Sequence, residues 1–146
     1  MDRSFWLLKT EPNEYSFEQL LRDGMTNWDG VRNYQARANL KAMKKDDWAL
    51  IYHSVGPKTV VGVAVVSQEA FPDSTYIAPS GKDNPWVAVE VKPLCAFKAP
   101  VSLNEIKGHS VLSTLPLVTQ SRLSVMPIPH QAFFLLCQMG GADCLP

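Results

Sequence analysis

A chain of 146 residues with 46% hydrophobic side chains can fold as one domain around a single core. Its 14 Lys and Arg balance 14 Asp and Glu, so the basic surplus of a broad, non-specific nucleic-acid binder is excluded, though a small basic patch around one pocket is not. No apolar run approaches the roughly 20 residues of a membrane span, and no membrane partner is expected. The cysteines Cys95, Cys137 and Cys144 are odd in number and form no CxxC pair. Neither a disulfide framework nor a zinc site is therefore expected, and a reducing compartment fits best. Met1 to Ser4 leads straight into a strand-like run and does not resemble a signal peptide.

Phe5-Trp6-Leu7-Leu8 predicts a first strand, running into Lys9-Thr10-Glu11 and stopped by Pro12. Ser16 with Gln19 forms a capping box that starts a short helix, which Gly24 ends. A second helix is predicted over Tyr34 to Lys44. Ala36, Leu40 and Met43 would face the core, with a basic stripe of Arg37, Lys41 and Lys44 beside them. Trp48 to Ser54 and the valine-rich run Thr59 to Phe71 read as a hairpin, with Gly62 marking a bulge or a barrel corner.

Pro72 to Pro85 is a loop of about 14 residues, long enough to suggest a function. Trp86 opens the next strand, which is expected to break at Pro93. Ser102 with Glu105 is a second capping box. Ser121 to Val125 alternates polar and apolar residues and predicts a strand with Arg122 and Ser124 on one face. Pro129 fits the first position of a last helix closed by Gly140-Gly141. About five strands without strict βαβ alternation predict an α+β domain, a small, mostly antiparallel barrel decorated by helices. One domain is expected over residues 1–146, with 141–146 a loose tail.

One stretch stands apart. Trp28-Asp29-Gly30-Val31-Arg32-Asn33-Tyr34-Gln35-Ala36-Arg37 concentrates an indole, a carboxylate, a glycine turn, two guanidiniums and amides just before a helix. That places Trp28 on a loop, a common home for ligand-binding side chains. The plainer alternative is an indole plugging the core.

Together with Trp6-Leu7-Leu8-Lys9-Thr10-Glu11-Pro12, Tyr52-His53-Ser54 and Gln120-Ser121-Arg122-Leu123-Ser124-Val125, this stretch resembles the EVE domain. The four motifs occur in the right order from Phe5 to about Gly140. Met126 stands where a polar residue is usual, and Asp47-Trp48 where a Gly-Asp pair is usual. The resemblance implies a PUA-like fold, a β-barrel of five to six strands with short helices around it, related to the YTH domain. It further implies a non-catalytic reader of a modified base in DNA or RNA. Carried over by position, Lys9 and Thr10 lie on the pocket wall, Trp28 is the cage indole, and Asp29, Gly30, Val31, Arg32 and Asn33 form the loop beneath it. Tyr52, His53 and Ser54 lie beside the pocket, Arg122 and Ser124 reach it from the last strand, and Trp86 is a weaker candidate.

Stacking on an aromatic wall and pairing with polar groups at the pocket edge suit an extruded base. Arg32, Arg37 and Arg122 would meet phosphates. No cofactor or metal is expected, since His53, His109 and His130 lack ligand spacing. The expected location is cytoplasmic, or nuclear in a eukaryote. Two alternatives compete. Small PUA-like hydrolases of the ASCH type use Lys, Thr and Glu on an acylated nucleoside, and Lys9, Thr10 and Glu11 supply those types, although neighbours on a strand alternate sides. A peptide groove lined by Trp28 and Tyr52 is the other.

Overall fold

The computed structural model describes residues 3–144. In chain order the elements are β1 (Phe5–Thr10), α1 (Phe17–Asp23), β2 (Thr26–Trp28), α2 (Tyr34–Ala42), β3 (Trp48–His53), β4 (Thr59–Pro72) and β5 (Val87–Ser102). There follow α3 (Leu103–Lys107), a 3-10 turn (Leu112–Thr114), α4 (Pro116–Thr119), β6 (Val125–Pro127) and α5 (His130–Gly140). The six strands form one sheet in the order β2-β5-β4-β3-β1-β6. Only β1 and β3 run parallel; the other neighbours are antiparallel. The sheet curls into a half-barrel with the helices around it, the mostly antiparallel α+β, PUA-like architecture expected.

Local sequence explains the elements. Both capping boxes form: Ser16 accepts from Gln19 N while the Gln19 side chain accepts from Ser16 N, and Ser102 and Glu105 do the same. Gly24 leaves α1 in the left-handed conformation at φ 78°. Asn33 caps α2, and Ala36, Leu40 and Met43 are buried as their spacing requires. The β4–β5 register jumps between Val60 and Gly62, and a Cβ at Gly62 would lie 2.4 Å from the Phe17 ring. Glycine there lets α1 close onto the sheet. The buried Asp47 carboxylate accepts from Ser4 N at 3.0 Å, Trp6 Nε1 at 3.0 Å and Lys44 N at 2.9 Å, joining the starts of β1 and β3.

Five expectations need correction. Residues 121–124 are a turn, and only Val125–Pro127 pairs with β1; the alternation of Arg122, Leu123 and Ser124 was too short to make a strand. Trp28 ends a three-residue strand rather than lying on a loop. Pro93 does not break β5, because it sits at an irregularity of the β4–β5 register, where a missing N–H removes little. Pro129 is the N-cap of α5 rather than its first residue. Finally, Cys95 and Cys144 form a disulfide, with Cα atoms 5.7 Å apart, leaving buried Cys137 free. The segment after α5 folds back along β5, which brings together two residues 49 apart in sequence. Of the expected tail, Gly141 caps α5 and Cys144 is bridged, while residues 145–146 lie outside the described ones.

Candidate functional site

The two ends of the curled sheet face each other across a cavity of about 450 Å³. From one end come Lys9 and Thr10 on β1 and Ser124 just before β6. From the other come Thr26, Asn27 and Trp28 of β2, followed by Asp29, Gly30, Val31 and Arg32. Glu14 and Tyr15, ahead of α1, close a third side. The site therefore occupies the gap that the barrel leaves open. Among the described residues β2 pairs with β5 alone, so its other edge carries no strand.

Trp28 is at once wall and core. Its surface is only 8% exposed, and Tyr15 meets it edge-on with ring centroids 6.5 Å apart. Tyr15 is fixed by a bond from its hydroxyl to Asp23 at 2.7 Å. The two β1 residues have committed polar groups. Lys9 Nζ donates to the Ser121 carbonyl at 2.9 Å, and Thr10 Oγ1 donates to the Tyr15 carbonyl at 2.7 Å. Burial, with the nearby Lys58 charge, pushes the Lys9 ammonium below its ordinary value.

The floor is held from the long loop after β4. Asp73, fully buried, accepts from Gly30 N and from Arg32 Nη1, each at 2.8 Å, and from the Thr75 N–H and hydroxyl. Burial raises this carboxyl, but the bonds from Arg32, Thr75 and Gly30 outweigh it and bring it down to about 2. Gly30 itself needs φ 78°, where a side chain would strain the turn. Asp29, by contrast, is pushed up by burial and by the Asp73 charge. A carboxyl held above its ordinary range beside a polar wall can accept or donate a hydrogen bond near its own titration point.

Of the residues singled out in the sequence, Lys9, Thr10, Trp28, Asp29, Gly30, Val31, Arg32 and Ser124 line this one cavity. The others lie elsewhere. Tyr52 is buried in the core, with Lys9 Nζ 5.9 Å from its ring centroid. His53 Nε2 accepts from Phe17 N at 3.1 Å, and burial lowers its pKa. Ser54 donates to the Thr10 carbonyl at 3.4 Å. Asn33 and Arg122 line a separate hollow of about 270 Å³ with Gln35, Gln120, Ser121 and Leu123, whereas Ser124 lines the first cavity. Trp86 borders a third hollow, with the Arg32 guanidinium 5.6 Å from its ring centroid. Glu11 is absent from the cavity wall, whereas Glu14, Tyr15, Thr26 and Asn27 on it were not anticipated. Their signal was position: two directly precede the capping box and two directly precede Trp28.

Comparison with known proteins bears on this architecture. The chain is 34% identical to thymocyte nuclear protein 1 of Rattus norvegicus, an alignment covering 96% of this chain and 75% of that one. A hypothetical protein from Leishmania major superposes with a TM-score of 0.90 at 36% identity over 96% of each chain. Human THYN1 protein, solved in complex with 5-methylcytosine containing DNA, superposes with a TM-score of 0.88 at 31% identity, covering 96% of this chain and 99% of that one. Residues 4–139 match the family described as EVE domain, and the chain belongs to that family.

Proposed function

We propose that the chain is a non-catalytic binder of a modified nucleobase in DNA, taken into the cavity between the two ends of the sheet. The observation that carries this reading is the wall itself. Trp28 and several polar side chains line a space of about 450 Å³, within the range of small-molecule sites. Stacking on an aromatic wall contributes roughly 1–3 kcal/mol per base, and the strand-free edge of β2 with Asp29 and Ser124 offers donors and acceptors to an extruded base. The human relative solved with 5-methylcytosine DNA supports both the partner and the kind of modification. A balanced net charge suits selectivity that arises in one pocket. Such a partner would be met in the compartment that holds DNA, the cytoplasm of a bacterium or the nucleus of a eukaryote.

Hydrolysis by Lys9, Thr10 and Glu11 draws less support. Glu11 is not on the cavity wall, and the other two polar groups are bonded to carbonyls. The test is a binding panel of short DNA and RNA strands, single and double, each with one modified base. The expected result is a preference for a methylated base in DNA. Equal affinity for modified and unmodified strands throughout overturns the proposal, and turnover of an acylated nucleoside would restore the hydrolase.

A further inference from the structure

Beside the cavity lies an aromatic surface that the base-binding reading does not use. Arg32, on the cavity wall, has its guanidinium 5.6 Å from the Trp86 ring centroid. Tyr34 packs against the same indole, with ring centroids 4.9 Å apart and planes tilted by 30°. Trp86 thus touches both Arg32 of the cavity wall and Tyr34. Trp86 ends up 9% exposed, but Tyr34 remains 64% exposed. This ring is not loose. Its residue opens α2 directly after the Asn33 cap, and the Arg37 guanidinium lies 5.3 Å from its centroid while bonding to the Pro85 carbonyl at 3.1 Å.

An exposed ring held this way needs little further ordering to receive a planar partner. Its surroundings select the partner. Among the described residues Arg37, Lys41 and Arg122 make no salt bridge, and they stand on the same helix or in the hollow that Asn33 and Gln35 line beside it. Positive charge beside a flat aromatic face fits a base on a phosphate backbone. Arg32 of the cavity wall and Tyr34 both lie against Trp86, so the exposed ring is a neighbour of the cavity, as the next nucleotide of a strand would be of the base inside it.

We propose that Tyr34 is a stacking platform for an unpaired nucleobase next to the one in the cavity. The inference rests on the base-binding reading and extends it: the ligand is a strand of at least two nucleotides, with the neighbour of the modified base also unstacked.

The test uses short single-stranded DNA with a central 5-methylcytosine, either with normal flanking bases or with abasic flanking sites, and the same strands with cytosine. Wild type should bind the abasic strand about tenfold more weakly than the intact one. Tyr34→Leu, which keeps Trp86 covered, should bind the intact strand about tenfold more weakly and lose nothing more on the abasic one, while Tyr34→Phe should match wild type. Wild type indifferent to the flanking bases overturns the platform, as does Tyr34→Leu losing equally on both strands. The ratio of methylated to unmethylated affinity is read on the same strands. A ratio of one overturns the reading of the cavity as a 5-methylcytosine site, independently of the flanking comparison.

Discussion

The Asp73 carboxylate, with no side-chain exposure, lies 2.8 Å from Arg32 Nη1 at the cavity rim. The same oxygen accepts from Gly30 N, so one residue of the long loop holds the turn that follows Trp28. That loop's length was the only sign in the sequence that it did more than connect β4 to β5.

Asp73→Asn should therefore destabilise the fold and loosen the cavity. The amide keeps one acceptor and turns the other into a donor, leaving a buried clash either with Gly30 N and Arg32 together or, flipped, with the Thr75 N–H. The loss at neutral pH should be about 1–3 kcal/mol, measured by urea unfolding. Its pH dependence has a definite sign. The folded carboxyl sits at about 2 against an ordinary 3.8, so its contribution is present above pH 3.8 and is lost as pH falls toward 2. Wild type and variant should converge in stability across that window. A constant gap would show that the carboxylate charge is not what holds the turn.

Trp28→Ala combines two losses. The indole is part of the buried core as well as the cavity wall, so truncation should cost roughly 3–5 kcal/mol of stability besides the base stack. Trp28→Leu retains much of the apolar contact and removes the π-face. It should stay folded by thermal melting and still lose the preference for a methylated strand. Full retention of that preference in Trp28→Leu would make the residue a core plug alone.

Much of this organisation was legible because short-range physics writes it directly. Ser16 with Gln19, Ser102 with Glu105, and the spacing of Ala36, Leu40 and Met43 depend only on neighbours in sequence. The signal fails where partners are remote. β2 has three residues and exists through its pairing with β5, so Trp28 looked like loop. Arg122 and Ser124 imitated an alternating strand over too few residues to separate it from a turn. The Cys95–Cys144 pair depends on how the end of the chain returns to β5, which three cysteine positions cannot specify. The cavity was partly legible for a similar reason. Its densest segment is contiguous, from Trp28 to Arg32, but Glu14 and Tyr15 arrive from across a helix.

Asp46 is the only described non-glycine residue with positive φ, at 75°, immediately before the buried Asp47. Its backbone N–H donates to the Val66 carbonyl at 2.8 Å, and its carbonyl accepts from Arg3 Nε at 2.7 Å, so the conformation is held from both sides. The family resemblance sets a Gly-Asp pair at Asp47-Trp48, whereas the positive φ falls one residue earlier, on Asp46. Asp46→Gly should stabilise the protein by about 0.5–1 kcal/mol, since the left-handed conformation penalises a Cβ. The readout is the urea midpoint with an unchanged slope. A lower midpoint would mean that the added freedom of the unfolded glycine outweighs the relief.

Asp29 and Arg122 should separate recognition from attachment. Asp29 lies on the cavity wall, where a carboxylate can accept from the exocyclic amine of cytosine or adenine and cannot do so from a keto group. Arg122 lines the neighbouring hollow with Asn33, Gln35 and Gln120, outside the cavity, where a guanidinium meets phosphate whatever the base. Asp29→Ala should therefore erase a preference for amine-bearing bases. Arg122→Ala should weaken every strand alike and reduce the salt dependence by about one phosphate contact. Acid provides a second handle on Asp29. Its carboxyl is raised above the ordinary 3.8 by burial and by Asp73, so the base preference should fade, as pH falls, before an ordinary carboxylate would titrate. Titrating both variants against strands that differ only in one central base decides the matter: if Arg122→Ala changes base preference and Asp29→Ala lowers all affinities equally, the two roles are exchanged.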